Sequence, residues 1–191
     1  MPLQHTVPEV LEKMNRKAAI ADSLAAAEFL RDVVPGITLR TTIMTGFPGE
    51  TEARFRKLMA DLRRMQFDHL GCFAYSPEKG TKGAALGGRP SRAVALAREK
   101  SVMDLAKSIW KVRSKRLVGE TFRALVVAPG VARMESQAPD VDGVTYIDRG
   151  GKLVGAPLRG DRTEDVRIGE FVNVRIAKVE GFDFVGEVVS R

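Results

Sequence analysis

The stretch at residues 41–51, TTIMTGFPGET, limits the possible folds more than any other part of the chain. An apolar, β-branched run over residues 37–44 stops at Gly46, and a strongly periodic segment begins after Pro48 and Gly49. Strand, Gly/Pro turn and helix in this order form the βα unit of an α/β fold. In such folds ligands bind at the carboxyl ends of the strands. The loop is therefore the first candidate for a ligand site.

Helices are predicted on both sides of this loop. Residues 51–66 carry apolar side chains at three- and four-residue steps, as an amphipathic helix does. Thr6 and Glu9 have the spacing of a capping box, which predicts a helix from Thr6 to about Ala18, and a second helix is predicted over residues 22–34. A long helix is predicted over residues 91–116. Its expected inward stripe is Val94, Leu96, Met103, Ala106, Ile109 and Trp110.

The chain contains a second strand of the same kind. Residues 69–75 are apolar enough to predict burial on both faces, and they end in a Gly-rich loop, SPEKGTKGAALGGRP. After Gly119 the pattern changes to short β-rich runs at about 121–127, 143–147, 171–179 and 182–189. Roughly 70 residues of short strands are typical of a small closed barrel, which leaves no exposed sheet edge.

Charge divides the chain into two parts of different character. Residues 117–191 contain ten Lys and Arg against twelve Asp and Glu, a net charge of −2, so residues 1–116 carry +9. A uniformly basic nucleic-acid binder would not divide its charge in this way. The single cysteine, Cys72, excludes an internal disulfide framework and a cysteine-rich metal site within this chain. No apolar run reaches the ~18 residues of a membrane span and the first residues lack a signal-peptide pattern, so we expect a cytoplasmic protein.

Five stretches, in the same order, resemble the methylthiotransferase family of radical SAM enzymes. They are PLQH followed by LEKMNR, then LRTTIMTGFPGETE, FDHLGCFAYSPEKGT, MESQAPDVDGVTYI and FDFVGEVV. PLQH, AYSPEKGT and APDVDG are most similar to the RimO-like branch, which modifies an aspartate of a small-subunit ribosomal protein. The MiaB-like branch, which modifies tRNA, is the nearest alternative. A third reading, from another class, is a non-catalytic module that binds RNA or the ribosome.

The resemblance implies an α/β fold with two domains. Residues 1–113 would be the C-terminal part of a radical SAM partial (β/α) barrel, and residues 117–191 a small all-β TRAM (OB-like) barrel. The full-length enzymes use S-adenosylmethionine and two 4Fe–4S clusters to insert sulfur and a methyl group at an unactivated carbon by a radical route.

The chain departs from the family in its cluster ligands. The CxxxCxxC run and the three further cysteines of the second cluster are absent. Fe–S clusters need thiolate ligands, and Cys72 alone cannot supply them. We therefore expect a C-terminal fragment that is inactive by itself, and whose partner is the missing N-terminal half of the enzyme.

Three polar residues near the start of the chain are candidates for cofactor binding through the resemblance. Gln4 and His5 would end a barrel strand that faces the cofactor and would bind the ribose or amino-acid part of S-adenosylmethionine. The plain alternative is an exposed polar terminus. Arg16 would pair with the methionyl carboxylate, because a guanidinium matches a carboxylate in a bidentate manner. An ordinary surface arginine is the alternative.

The two strand-end loops supply the other cofactor candidates. Ile43 would make apolar contact with the adenine, and Gly46 would allow close approach of the backbone. Glu50 either belongs to the same loop or only favours the start of the next helix. Tyr75 and Ser76 would line the same opening, or Tyr75 simply ends a strand with its hydroxyl in water.

The acidic segment APDVDG is the candidate docking site for a macromolecule. Asp140 and Asp142 would meet a basic ribosomal protein, because complementary charge speeds and orients association. A hairpin turn is the plain alternative, for which Asp-Gly is well suited. The net charge of −2 on the β-rich part speaks against tRNA as the substrate, since phosphate contacts need an excess of Lys and Arg.

Overall fold

The structure, a computed structural model, describes residues 2–16, 20–148 and 166–190. The chain forms two compact units, Met1–Trp110 and Lys111–Arg191. The elements in chain order are α1 (Pro8–Lys13), α2 (Ile20–Val33), β1 (Arg40–Thr45), α3 (Glu52–Met65), β2 (His69–Ala74), α4 (Lys82–Ala85), α5 (Arg92–Lys115), β3 (Thr121–Ala128), β4 (Val131–Met134), β5 (Thr145–Asp148), β6 (Phe171–Glu180) and β7 (Asp183–Ser190). The predicted domain limits, 1–113 and 117–191, stay predictions.

Three parallel chain segments organise the first unit. Strands β1 and β2 pair in parallel, and Gln4 forms a parallel bridge with Ile43 on the other side of β1. The Gln4 N–H donates to the Thr42 carbonyl at 2.9 Å, and the Met44 N–H donates to the Gln4 carbonyl at 2.8 Å. All three segments therefore end at the same edge of the sheet, which is where the candidate loops begin.

The two faces of β1 pack against different groups. Thr41, Ile43 and Thr45 are buried, and Ile43 lies in the main core with side chains of α3 and α5. Met44 faces a smaller cluster. That cluster contains Val7, Val10, Phe47, Met14 and Tyr75. The alternation places one row of side chains against the helices and the next row at the opposite face.

Helix α3 confirms the prediction made from its periodicity. Thr51 caps it, because its hydroxyl oxygen accepts the N–H of Arg54 at 3.3 Å, and Gln66 ends it in the left-handed conformation. Its buried stripe contains Phe55, Leu58, Met59, Leu62 and Met65, the side chains expected from the sequence.

Three details of the sequence prediction are wrong. Val7 precedes α1 without a side-chain cap, and Pro8 begins the helix, so Thr6 does not cap it. The helix ends at Lys13, so it does not continue to about Ala18 as predicted, although Ala18 itself lies outside the described residues. Only Leu70 is fully buried on β2, and Phe73 is 40% exposed, so the strand is not covered on both faces. The inward stripe of α5 is shifted from the expected one. Ile109 is buried as expected, but the other buried side chains of the helix are Ala95, Arg98, Val102 and Ser114, and Val94 and Leu96 are exposed.

The shift in α5 has a physical reason. The helix places the small Ala95 against the loop after β1 and the guanidinium of Arg98 inside the protein. In a hydrophobicity pattern alanine adds little to the apolar face, and arginine is assigned to the solvent side. The pattern therefore selects the adjacent helix face that carries Val94 and Leu96.

The second unit is a closed five-stranded barrel with the strand order β3-β4-β5-β7-β6, in which β6 pairs back with β3. Strands β5 and β7 are parallel, and the other pairs are antiparallel. The inward side chains include Ala124, Val126, Ala132, Met134, Val172, Val174, Ile176 and Phe184. The predicted small barrel is confirmed, although β4 was not predicted. Among the described helices, none has the length and apolar character needed to cross a bilayer.

Candidate functional site

The loop after β1, residues 46–50, is buried throughout. Gly46 and Gly49 have φ angles of +78° and +92°, a region that favours glycine. A Cβ at Gly46 would lie 2.3 Å from the Cβ of Ala95 in α5. The close approach that Gly46 permits in this structure is therefore to helix α5, and its predicted role toward a ligand stays a prediction.

Glu50 forms the centre of a buried polar network. One of its carboxylate oxygens, Oε2, accepts the Gly46 N–H at 2.5 Å and Nη1 of Arg98 at 3.0 Å. The same Arg98 nitrogen donates to the Glu50 carbonyl at 2.9 Å, and Nη2 donates to Glu52 at 3.1 Å. Glu50 and Arg98 are only 2% and 7% exposed. Charge-assisted bonds of this kind are stronger than neutral ones and hold the loop against α5.

His5 approaches the other oxygen of the same carboxylate. The His5 ring is buried, and Nδ1 accepts the Val7 N–H at 3.0 Å. A nitrogen that accepts carries no proton, so the proton of the neutral ring is on Nε2. Nε2 lies 3.4 Å from Oε1 of Glu50. The structure thus turns His5 toward Glu50, and the predicted cofactor contact of His5 stays a prediction.

The sheet edge also carries two buried polar atoms for which the described residues provide no hydrogen-bond partner. Within the described part of the chain, Oε1 of Gln4 and the hydroxyl of Tyr75 are buried and form no hydrogen bond. The Tyr75 N–H donates to the Thr45 carbonyl at 2.7 Å, and its ring packs edge-on against Phe47 with centroids 4.8 Å apart. Gln4 and Tyr75 therefore stand at the ends of the two segments that flank β1. Buried polar groups normally have a partner, so both atoms are available to a ligand.

Ile43 and Arg16 are placed differently from these two residues. Ile43 has no exposed surface and packs into the main core, whereas Met44 lies on the face shared with Tyr75. That placement favours Met44 over Ile43 as the apolar contact for a ligand at this edge. Arg16 is exposed and donates to the Pro2 carbonyl at 3.3 Å. The binding roles given to Ile43 and Arg16 stay predictions.

The described residues contain no group of three or more His, Cys, Asp or Glu side chains that could hold a metal ion. Cys72 packs beside the main core. Burial is the largest cause that raises the pKa of its thiol from 9.0 to about 12, and the negative charges of Glu99 and Glu50 raise it further, against a hydrogen bond with Thr45. Burial therefore holds the Cys72 thiol in its protonated, weakly nucleophilic form at neutral pH.

The acidic segment of the barrel is a loop between β4 and β5. Buried Gln137 fixes it from inside: its Oε1 accepts the Met134 N–H at 2.9 Å, and its Nε2 donates to the Gly143 carbonyl at 2.9 Å. Asp142 accepts the backbone N–H of Ala138 at 2.7 Å and so acts within the loop.

Asp140 lies at the exposed tip of this loop with a φ angle of +59°, beside Val141, which is 70% exposed. The two predicted docking residues are therefore unlike: Asp142 shapes the loop and Asp140 is presented to solvent. Sequence reasoning missed Gln137 and Arg98. A buried amide and a buried guanidinium have no signal in a hydrophobicity pattern.

Comparison with known proteins covers both units. The TRAM domain model matches residues 118–189. A protein of Burkholderia pseudomallei (strain K96243), named ribosomal protein uS12 methylthiotransferase RimO, is 36% identical over 98% of this chain and 40% of its own length. A protein of the same name from Desulfitobacterium hafniense (strain Y51) is 37% identical over 100% of this chain and 41% of its own length. The chain thus spans about 40% of the length of these relatives.

Proposed function

We propose that this chain belongs to the RimO family of ribosomal protein uS12 methylthiotransferases, and that it supplies the later cofactor-side loops and the substrate-docking barrel of such an enzyme. The whole enzyme would add a methylthio group to an aspartate of ribosomal protein uS12. The similarity over 98–100% of the chain carries the proposal. Residues 1–113 would correspond to the late βα units of a radical SAM partial barrel. The three parallel segments that end at one edge support this correspondence.

The unpartnered atoms at that edge suit S-adenosylmethionine. The cofactor offers a ribose, an amino group, a carboxylate and an adenine, which together need both donors and acceptors. Gln4 supplies an acceptor, Tyr75 a hydroxyl that donates and accepts, and Met44 an apolar surface. In the whole enzyme S-adenosylmethionine supplies the methyl group and the radical. The residues named here would bind and orient it.

The iron–sulfur clusters do not fit this chain. Each cluster needs several thiolates, and the only thiol is Cys72, with a pKa raised to about 12. No reaction step is therefore assigned to these residues. The chemistry would depend on a polypeptide that carries the cluster ligands, and the 191 residues by themselves would not be catalytic.

The barrel would dock the protein substrate. Its acidic balance, −2 over residues 117–191, and the exposed Asp140 favour a basic ribosomal protein over an anionic tRNA. Gln137 and Asp142 hold the loop in one shape before binding, which lowers the entropic cost of association.

The test is the binding of the chain to purified uS12, measured by fluorescence anisotropy, with another basic ribosomal protein and a tRNA as comparison ligands. We expect binding to uS12 that is clearly tighter than to the other basic protein. Equal binding to both basic proteins, or tight salt-dependent tRNA binding without affinity for uS12, would contradict the proposal.

A further inference from the structure

We infer that Glu50, clamped by Arg98 and faced by His5, is a positioning unit that sets the backbone of the loop 46–49 at the proposed cofactor edge. The inference rests on the proposed function for what the loop binds, but the network itself is defined by the contacts of this chain. Glu50 is not explained as a helix cap, because Thr51 performs that role for α3.

The burial of Glu50 requires a compensating charge. A carboxylate with 2% exposure and no cation nearby would be costly. Arg98 provides the cation and bonds both to the carboxylate and to the Glu50 carbonyl. This ion pair holds the loop against α5. The same carboxylate oxygen, Oε2 of Glu50, also accepts the N–H of Gly46. A single carboxylate therefore controls the orientation of the peptide unit that begins the loop.

His5 adds a third chain segment to the unit. Nε2 of His5 lies 3.4 Å from Oε1 of Glu50, beyond the usual ~2.7–3.2 Å of an N–H···O bond. Within the described residues, neither of these two buried atoms forms a hydrogen bond. A donor and a carboxylate oxygen that are both buried, without partners and this close attract one another, so we expect His5 to restrain the Glu50 carboxylate. His5 thereby couples the loop to the chain segment around Gln4, which pairs with β1.

Two substitutions of His5 separate this role from ordinary packing. His5→Gln retains an N–H donor near the position of Nε2 and loses the acceptor for the Val7 N–H. His5→Asn retains an acceptor near the position of Nδ1 and loses the donor toward Glu50. Amide hydrogen exchange of the full chain, resolved by NMR at fixed pH, reports on the two N–H groups of Val7 and Gly46 separately.

We expect opposite patterns. His5→Asn should speed exchange of the Gly46 N–H by roughly five- to tenfold, the effect of weakening one hydrogen bond, and leave Val7 protected. His5→Gln should do the reverse. Arg98→Lys, which keeps the charge but loses the two-point grip, should speed exchange at Gly46 in the same direction as His5→Asn.

A pattern in which both His5 variants change Val7 and Gly46 equally would overturn the inference, because a general packing defect acts that way. Unchanged exchange at Gly46 in both His5→Asn and Arg98→Lys would overturn it too. The measurement involves no cofactor and no ribosomal protein. Its failure is therefore distinguishable from failure of the proposed function, which is tested by uS12 binding.

Discussion

Replacing Gly46 by alanine should destabilise the first unit through a collision whose size the structure defines. The new Cβ would lie 2.3 Å from the Cβ of Ala95, more than 1 Å closer than the ~3.5–4.0 Å of normal carbon contact. Gly36 offers a matched control: its φ is +77° against +78° at Gly46, but, apart from its chain neighbours, no atom of the described residues lies within 4 Å of where its Cβ would be. The two variants share the backbone cost and differ in the collision.

The expected magnitudes follow from these two terms. A left-handed conformation costs a non-glycine residue roughly 1–2 kcal/mol, partly offset by the lower entropy of the unfolded chain. Gly36→Ala should therefore cost about 1 kcal/mol. Overpacking adds about 1–3 kcal/mol, so Gly46→Ala should cost about 2–4 kcal/mol. Adding Ala95→Gly to Gly46→Ala removes the nearest atom, and the next neighbour, the Cα of residue 95, is 3.2 Å from the new Cβ.

Urea unfolding followed by the fluorescence of Trp110 measures these differences. Trp110 is the only tryptophan, and its ring lies 5.7 Å from that of His69 in the first unit, so its emission reports on this unit. The double variant should be more stable than the sum of its single changes predicts, by about 1–3 kcal/mol. Equal losses for Gly46→Ala and Gly36→Ala, or simple additivity with Ala95→Gly, would refute the reasoning.

Four further outcomes are expected. The Cys72 thiol, with a pKa raised by burial to about 12, should react with a disulfide reagent at pH 8 at least ~100-fold more slowly in the native chain than in urea; native labelling at the unfolded rate would contradict the burial. Because the pKa of this thiol is raised from 9.0 to about 12 on folding, its contribution to stability is present below about pH 9 and is lost as the pH rises toward 12. Between these pH values, urea titrations should therefore show a smaller loss of unfolding free energy for Cys72→Ala than for the unchanged chain. Gln137→Ala removes three side-chain hydrogen bonds, to Met134, Gly143 and Thr145, and should lower barrel stability by about 2–3 kcal/mol in thermal unfolding. Val141→Ser at the exposed tip should stay within about 0.5 kcal/mol, and a similar loss in both variants would contradict the role of Gln137. Asp140→Lys should weaken uS12 binding by about tenfold, and Glu120→Lys, the same charge change outside the loop, should have a clearly smaller effect in the same anisotropy assay.

Sequence reasoning predicted a helix or strand correctly where one hydrophobic periodicity dominates the segment. Helix α3 has its apolar stripe and a threonine cap, and the alternation in β6 predicts its buried face. The shifted stripe of α5 shows the limit of that approach. Ala95 is inward because Gly46 leaves space for it, and Arg98 is inward because Glu50 is there. Both reasons lie about fifty residues away along the chain.

The candidate site divides in the same manner. The strand-end loop and the acidic turn are visible in the sequence because Gly, Pro and Asp have local conformational meaning. Which face of β1 meets a ligand is not visible. Ile43 and Met44 are adjacent and both apolar, and only the packing of the helices on one side of the sheet separates core from candidate site.

The sequence by itself determined the order of elements, the change from α/β to β-rich structure near Gly119, the family resemblance and the absence of cluster ligands. These are properties of local pattern and of composition, which need no knowledge of distant contacts. Only the tertiary structure decided that His5, Glu50 and Arg98 form one network, and that Gln4 and Tyr75 have buried atoms without a hydrogen-bond partner among the described residues. The reason is that hydrogen bonding and charge pairing act through space. Parallel pairing of strand segments and the packing of α5 bring together residues that are far apart in the chain.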